Sequence, residues 1–543
     1  MTWLTRREQC SITTIAKTYP HVRLFIVPLV VFIVVMHSFL SLSHGASTSD
    51  RPNIIVIMGD DIGYGDVSCN GAKRIDTPHI DNLAAQGLRF KSGYCSASTC
   101  TPTRYSFLTG TYAFRKTGTG IAPPNSPAII QPSTQTIASL LKKAGYTTQV
   151  IGKWHLGLGD AAGPDWNGIL KPGPLEIGFD HCFLLPTTND RVPQVFVEDH
   201  RVKNLDPADP LWVGNKKPSP NHPTGITHRD SLKMDWSHGH NATIHNGISR
   251  IGFYTGGNAA RFRDEDLADT WVEQSKAFIH EQQQHSTPFF LFFAAHECHV
   301  PRIVHERFQG KSELGPRGDA ILELDWCVGE LTKTIAAEGL SEETLIIFCS
   351  DNGPVLDDGY KDDAIEKNGL HRAGGPYSGG KYSVYEGGTR TPFITCWPGT
   401  ITPGVSDEIV CTIDLATSLA NLVKQPVPED ACLDSLNVLG ALLGHKNAHG
   451  RDHLVQQDNG KVGNYGLRVG NWKLVRHDRK QARNLIVETT LTNTEVPQYQ
   501  LFDLSSDPEE KHDLSTQFPQ KMQELTARLA DVIAAGRTRP AKP

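Results

Sequence analysis

The stretch Cys100-Thr101-Pro102-Thr103-Arg104-Tyr105-Ser106-Phe107-Leu108-Thr109-Gly110 constrains this chain more than any other. Pro102 suits the first turn of a helix, where a missing N–H and a fixed φ are tolerated. Cys100 then falls near the helix N-terminus, where the backbone dipole favours a negative oxygen or a bound anion. Arg104 comes one turn later on the same face and can reach back toward Cys100. A buried structural cysteine ahead of a helix would account for Cys100. It leaves the proline, the arginine and the Leu-Thr-Gly at fixed offsets without a reason.

The rest of the chain supplies the setting. Its 543 residues are too many for one hydrophobic core, so two domains are expected. A formal net charge of −6 argues against a nucleic-acid binder, which would carry a basic excess. Any attraction for an anionic substrate must come from a local basic pocket. Arg6, Arg7, Lys17 and Arg23 precede an apolar run from Leu24 to Leu42 that closes in Ser43-His44-Gly45-Ala46-Ser47. This reads as an export signal with cleavage near Ala46; the rival reading is an uncleaved N-terminal membrane anchor. Of 11 cysteines, Cys10 lies in this leader, and none forms a Cys-x-x-Cys pair, so neither a zinc module nor a redox motif is indicated. Some disulfides are possible in an exported chain.

Pro52 to Met58 is a continuous apolar run of the kind that forms a fully buried parallel strand, and Asp60-Asp61 come directly after it. Ligands of open α/β sheets gather at the carboxyl ends of strands. Two adjacent carboxylates placed there repel unless relieved, and a hard divalent cation relieves them better than a solvated turn. A second apolar run, Thr344 to Cys349, ends in Asp351-Asn352, two more oxygen ligands. A helix over 136–144 leads into Gly145-Tyr146-Thr147-Thr148 and on to Gly152-Lys153-Trp154-His155. Lys153 and His155, two apart on an extended segment, are expected to share a face. An amphipathic helix is expected over 263–284, with Leu267, Trp271, Ser275 and Phe278 on one stripe. It precedes a buried strand over 288–295 and then His296-Glu297-Cys298-His299. His296 and His299 have the spacing of a transition-metal pair, but no motif places a third ligand. Residues 160–262 are rich in Pro, Gly, Asn and His and read as long functional loops. Within them Asn189-Asp190-Arg191 could contact sugar hydroxyls or a second anionic group, or form a structural ion pair.

Taken together, these stretches resemble the type I, formylglycine-dependent sulfatases, an arylsulfatase-like family of the alkaline phosphatase superfamily. Its signature is Cys-x-Pro-Ser-Arg-x-x-x-Leu-Thr-Gly, with Thr103 here in place of the serine. The Gly145 to His155 stretch is similar to a second family signature. The strand before His299, and Gly380-Lys381 with Tyr385-Glu386-Gly387-Gly388, match further family segments. The resemblance implies an α/β alkaline-phosphatase-like sandwich with a large, mostly parallel central sheet, plus a smaller C-terminal α+β domain with an antiparallel sheet. The boundaries implied are a leader over 1–46, a catalytic domain over 47–448 and a C-terminal subdomain over 449–543. The activity implied is sulfate-ester hydrolysis, of a sulfated carbohydrate, through a sulfo-enzyme intermediate. Cys100 would be oxidised to Cα-formylglycine by a maturation enzyme. One Ca²⁺ would be held by Asp60, Asp61, residue 100, Asp351 and Asn352. Arg104, Lys153, His155, His299 and Lys381 would complete the catalytic set. A phosphodiesterase or phosphonate monoester hydrolase of the same superfamily, or a non-catalytic carbohydrate-binding relative, is the alternative.

Overall fold

The apolar run after Pro52 becomes β1, Asn53–Gly59, near the middle of a ten-stranded sheet. It is buried on both faces: Ile54, Val56 and Met58 join one core cluster, while Ile55 and Ile57 join the other. A strand sandwiched in this way reads as a continuous apolar run and not as an alternation. The computed structural model describes residues 51–541 except 215, 220, 286, 460–462 and 479–495, so the leader and Cys10 lie outside the described residues.

The remaining strands of this sheet are β2 Leu88–Tyr94, β3 Thr147–Lys153, β4 His181–Leu185, β5 Val197–Glu198, β6 Arg201–Val202, β7 Phe289–Ala294, β8 Thr344–Ser350, β9 Ile394–Cys396 and β10 Gly404–Cys411. Their order is β10-β2-β9-β8-β1-β7-β3-β4-β5-β6. All but β5 and β9 run in one direction, so the carboxyl ends of β1, β2, β3, β4, β7 and β8 share one edge. Helices α2 (Cys100–Thr109) and α3 (Ile137–Lys143) pack on one face through Tyr105, Phe107, Leu108, Ile137 and Leu140. On the other face lie α1 (Pro78–Gln86), α4 (Leu267–His285) and α5 (Gly315–Ala337). The expected stripe of Leu267, Trp271, Ser275 and Phe278 is buried. The helix starts four residues later than its pattern suggests, because Asp264–Asp266 form a 3₁₀ turn and Asp264 accepts a 2.6 Å bond from the buried Arg250.

A second, antiparallel sheet of four strands is made by β11 His453–Gln457, β12 Tyr465–Val469, β13 Trp472–Arg476 and β14 Tyr499–Asp503. Gly470-Asn471 makes the tight turn between β12 and β13, with Val469 opposite Trp472. Leu525 and Leu529 of the helix Pro519–Ala534 share a core cluster with this sheet and with Tyr94 and Tyr112. Glu386, from the Tyr-Glu-Gly-Gly stretch, is a structural anchor between the two sheets. It accepts from Lys473 Nζ at 2.8 Å and from Arg390 at 3.2 Å. The ten cysteines among the described residues are free thiols.

Candidate active site

Because β1 and β8 are neighbours ending in register at Gly59 and Ser350, the residues after them meet. Asp60, Asp61, Asp351 and Asn352 are fully buried. Asn352 Nδ2 donates to Asp61 Oδ1 at 2.6 Å, while Asp60 Oδ1 and Asn352 Oδ1 have no hydrogen-bond partner. Burial, and then the Asp351 carboxylate, push Asp60 well above the usual carboxylate range, and burial raises Asp61 against the pull of Lys381. One ligand atom from each of Asp60, Asp61 and His299 lies within 4.8 Å of the others. Three carboxylates and an amide, with two buried oxygens unpartnered, fit a hard cation that takes oxygen ligands. The single imidazole beside them does not turn the set into a softer one.

Cationic side chains surround these oxygens. Lys153, the last residue of β3, pairs with Asp60. Helical spacing predicts that Arg104 reaches back to Cys100; it donates instead to Asp351 Oδ2 through Nε at 2.9 Å and to the Lys153 carbonyl at 2.8 Å. Lys381 Nζ lies 2.9 Å from Asp61 and 2.7 Å from Asp358. Burial alone would lower Lys381, but Asp358 and Asp61 hold it well above the usual lysine range. Nothing in the sequence singles out Asp358, since Asp357-Asp358-Gly359 reads only as a turn.

Cys100 is the first residue of α2, entered through extended backbone at Thr99. Its Sγ lies 3.1 Å from His155 Nδ1, and His155 Nε2 lies 3.0 Å from the Ala122 carbonyl. Donation from Nε2 to that carbonyl leaves the Nδ1 lone pair facing residue 100. Lys153 and His155 do reach one site, but not by strand alternation. β3 stops at Lys153, and His155 sits in left-handed backbone at φ 55°. Burial, then Lys153, lower its pKa well below the usual histidine value, so it is a neutral base. His299 is lowered in the same sense by burial, then by Lys381 and Lys153. Its Nδ1 donates to the Val300 carbonyl at 2.7 Å, which leaves Nε2 as the free nitrogen.

A buried acidic cage, paired cations and a helix-start cysteine facing a neutral histidine thus lie together at one sheet edge. Residues 52–425 match the family model described as Sulfatase. The chain belongs to the sulfatase family, whose members hydrolyse sulfuric esters. Residues 379–538 also match the model for the C-terminal region of N-sulphoglucosamine sulphohydrolase. The chain is 46% identical over 484 residues to an N-acetylgalactosamine-6-O-sulfatase of Bacteroides thetaiotaomicron, covering 89% of this chain and 93% of that one. It is 31% identical to human arylsulfatase A, covering 88% and 85%. A solved structure from work on the metabolism of multiple glycosaminoglycans by Bacteroides thetaiotaomicron superposes with a TM-score of 0.85 at 45% identity, covering 90% of this chain and all of that one.

In this sulfatase the Asn189-Asp190-Arg191 segment has two jobs. Asn189 Nδ2 donates to the His299 and Pro301 carbonyls, each at 3.2 Å, and so braces the His299 turn. Asp190 pairs with Arg191 at 2.9 Å and with His240 Nε2 at 2.9 Å. Against burial, Arg191 and then His299 hold Asp190 well below the usual carboxylate range. Gly359 permits the close approach of His240: it has φ 111°, and a Cβ there would lie 1.8 Å from His240 Nδ1.

Proposed function

We propose that this sulfatase hydrolyses the 6-O-sulfate ester of an N-acetylgalactosamine-containing carbohydrate, with residue 100 as the nucleophile and one Ca²⁺ per chain. The observation that carries the substrate class is the 46% identity, across 93% of its length, to the N-acetylgalactosamine-6-O-sulfatase. Conversion of Cys100 to formylglycine and hydration of the aldehyde supply two hydroxyls on one carbon, one to attack sulfur and one whose deprotonation lets sulfate leave. Asp60, Asp61, Asp351 and Asn352, with an oxygen of residue 100, would hold the Ca²⁺, which would supply positive charge to sulfate and nucleophile.

The chain's own residues carry the proton traffic. Lys153 would hold the oxygens of residue 100, with Arg104 fixing Asp351 and the Lys153 carbonyl beside it, and Lys153, Lys381 and His299 would neutralise the sulfate. Lys381 is an anchoring charge and a poor acid, because Asp358 and Asp61 hold its proton. His299 is the better general acid. Burial is the main cause that lowers its pKa, followed by Lys381 and Lys153. A sulfate bound between the two lysines would offset their charges and let Nε2 take a proton from solvent, which then passes to the leaving alcohol. His155 Nδ1, 3.1 Å from residue 100, takes the proton that permits sulfate to leave. Asp190, buried and paired with Arg191 and His240, would hold Arg191 in place, and the half-buried Arg191 would meet the substrate's sugar. The basic and apolar leader fits export, where sulfated polysaccharides are met.

Two measurements test this reading. Sulfate release from N-acetylgalactosamine-6-sulfate should exceed release from the 4-sulfate and from N-acetylglucosamine-6-sulfate; equal rates on all three would overturn the substrate assignment. Peptide mass spectrometry of active enzyme should find the Cys100 thiol replaced by an aldehyde oxygen, and an unmodified cysteine in active enzyme would overturn the nucleophile.

Chelation should cost both activity and stability, because Asp60, Asp61 and Asp351 then repel in a buried site. A ligand at one hundred times its Kd stabilises by about 2.7 kcal/mol, so melting should fall measurably and recover with added Ca²⁺. Unchanged melting and turnover after exhaustive chelation would rule out the cage.

A further inference from the structure

His296 and His299, the pair with metal-ligand spacing, face different neighbours. His299 lies with Asp60 and Asp61, whereas His296 lies with Glu297 and Glu323, one ligand atom of each within 4.8 Å of the others. Glu297 comes just after β7 and Glu323 belongs to α5, so the third ligand is supplied by an element that no local spacing could indicate. His296, Glu297 and Glu323 are 3%, 2% and 1% exposed, which removes water as the agent that disperses their charge.

The cluster does not satisfy itself. His296 Nδ1 lies 3.2 Å from the indole N–H of Trp271 and 3.0 Å from Glu297 Oε1. A nitrogen that accepts from the indole cannot also donate to the carboxylate. Glu297 Oε1 is accordingly buried without a hydrogen-bond partner, while Oε2 accepts from the His296 N–H at 3.1 Å. Glu323 accepts from the His305 N–H at 2.9 Å. Among the described residues no lysine or arginine forms an ion pair with either glutamate; Arg307, whose charge acts on Glu323, is paired with Asp269 at 2.9 Å. Two buried carboxylates beside an imidazole are costly unless a cation or a shared proton joins them.

We propose that His296, Glu297 and Glu323 bind a second divalent cation, of the borderline class that accepts mixed nitrogen and oxygen ligands, such as Zn²⁺. This site is separate from the acidic cage but bonded to it through the backbone. The Glu297 carbonyl accepts the Asp60 N–H at 2.8 Å, and the Cys298 N–H donates to the Asp60 carbonyl at 2.6 Å. A cation here fixes the turn that sets both Asp60 and His299, and so acts by positioning.

The burial means that the ion enters as the chain folds, so the test uses full-length protein from cells grown with Zn²⁺, Mn²⁺ or Co²⁺. After dialysis into Ca²⁺, elemental mass spectrometry should find about one transition-metal ion per chain beside the Ca²⁺. Glu323→Gln, which keeps the shape, should lose that ion, keep the Ca²⁺ and melt at a lower temperature. Should Glu323→Gln not fold, His296→Gln is measured in its place. Wild-type protein with no transition metal from any of the three media would overturn the proposal and leave a proton shared by the glutamates. A transition metal retained in the variant would overturn it equally, by placing that ion in the cage.

Discussion

Cys100→Ser is expected to react once and stop. The serine hydroxyl starts the helix in the same place, next to the acidic cage and 55 residues upstream of the histidine that faces it. It can therefore attack sulfur and release one equivalent of alcohol. It lacks the second hydroxyl on the same carbon, so no deprotonation can expel the sulfate. Rapid-quench assays should show an alcohol burst equal to the enzyme concentration, and then turnover slower by roughly 10⁴-fold or more. Cys100→Ala should show neither burst nor turnover. The unmodified thiol is no substitute. Burial raises Cys100, with Lys153 opposing, and a protonated thiol is a weak nucleophile. Sustained multiple turnover by Cys100→Ser, within tenfold of the wild type, would mean that the second hydroxyl is not needed and that the assignment of residue 100 is wrong.

Where the site is legible in the residues, the reason is that it sits at strand ends. β1, β7 and β8 are buried on both faces, so each stands out as an uninterrupted apolar run, and the residues just after each run land on one edge. Asp60, Asp61, Asp351, Asn352 and His299 come together in this way. The contacts that depend on a distant partner are not legible. Asp358 reaches Lys381 from a loop, and Glu323 comes near His296 from the middle of α5. Helical spacing points Arg104 at Cys100, yet Asp351, 247 residues away, takes its guanidinium. Strand alternation points His155 at the site, but the strand ends two residues too early, and a left-handed backbone brings the ring there instead. Local pattern decides which elements form, and long-range electrostatics decides which charged group each side chain meets.

The two histidines can be separated by the substrate's leaving group. His155 is neutral and faces residue 100, with Nε2 fixed on the Ala122 carbonyl and Nδ1 free to accept a proton. His155→Ala should therefore still break the ester bond but release sulfate slowly, so that alcohol appears before sulfate. His299 is held by its Nδ1 contact to Val300, with Nε2 turned to the acidic cage and the lysines. His299→Ala should slow the first step, and the loss should grow with the pKa of the leaving alcohol. A nitrophenolate departs unaided, whereas a sugar alkoxide needs a proton, and general acid assistance is commonly worth roughly 10²–10⁴-fold. Each variant is assayed on an activated arylsulfate and on a sugar sulfate. The expected pattern is a small arylsulfate loss and a large sugar-sulfate loss for His299→Ala, with a burst of alcohol on both substrates for His155→Ala. Equal losses on both substrates for His299→Ala would remove it as the acid and return that role to Lys381. Its proton would then have to come from a group held charged by two carboxylates, and the loss in Lys381→Ala would have to show the leaving-group dependence that His299→Ala lacked.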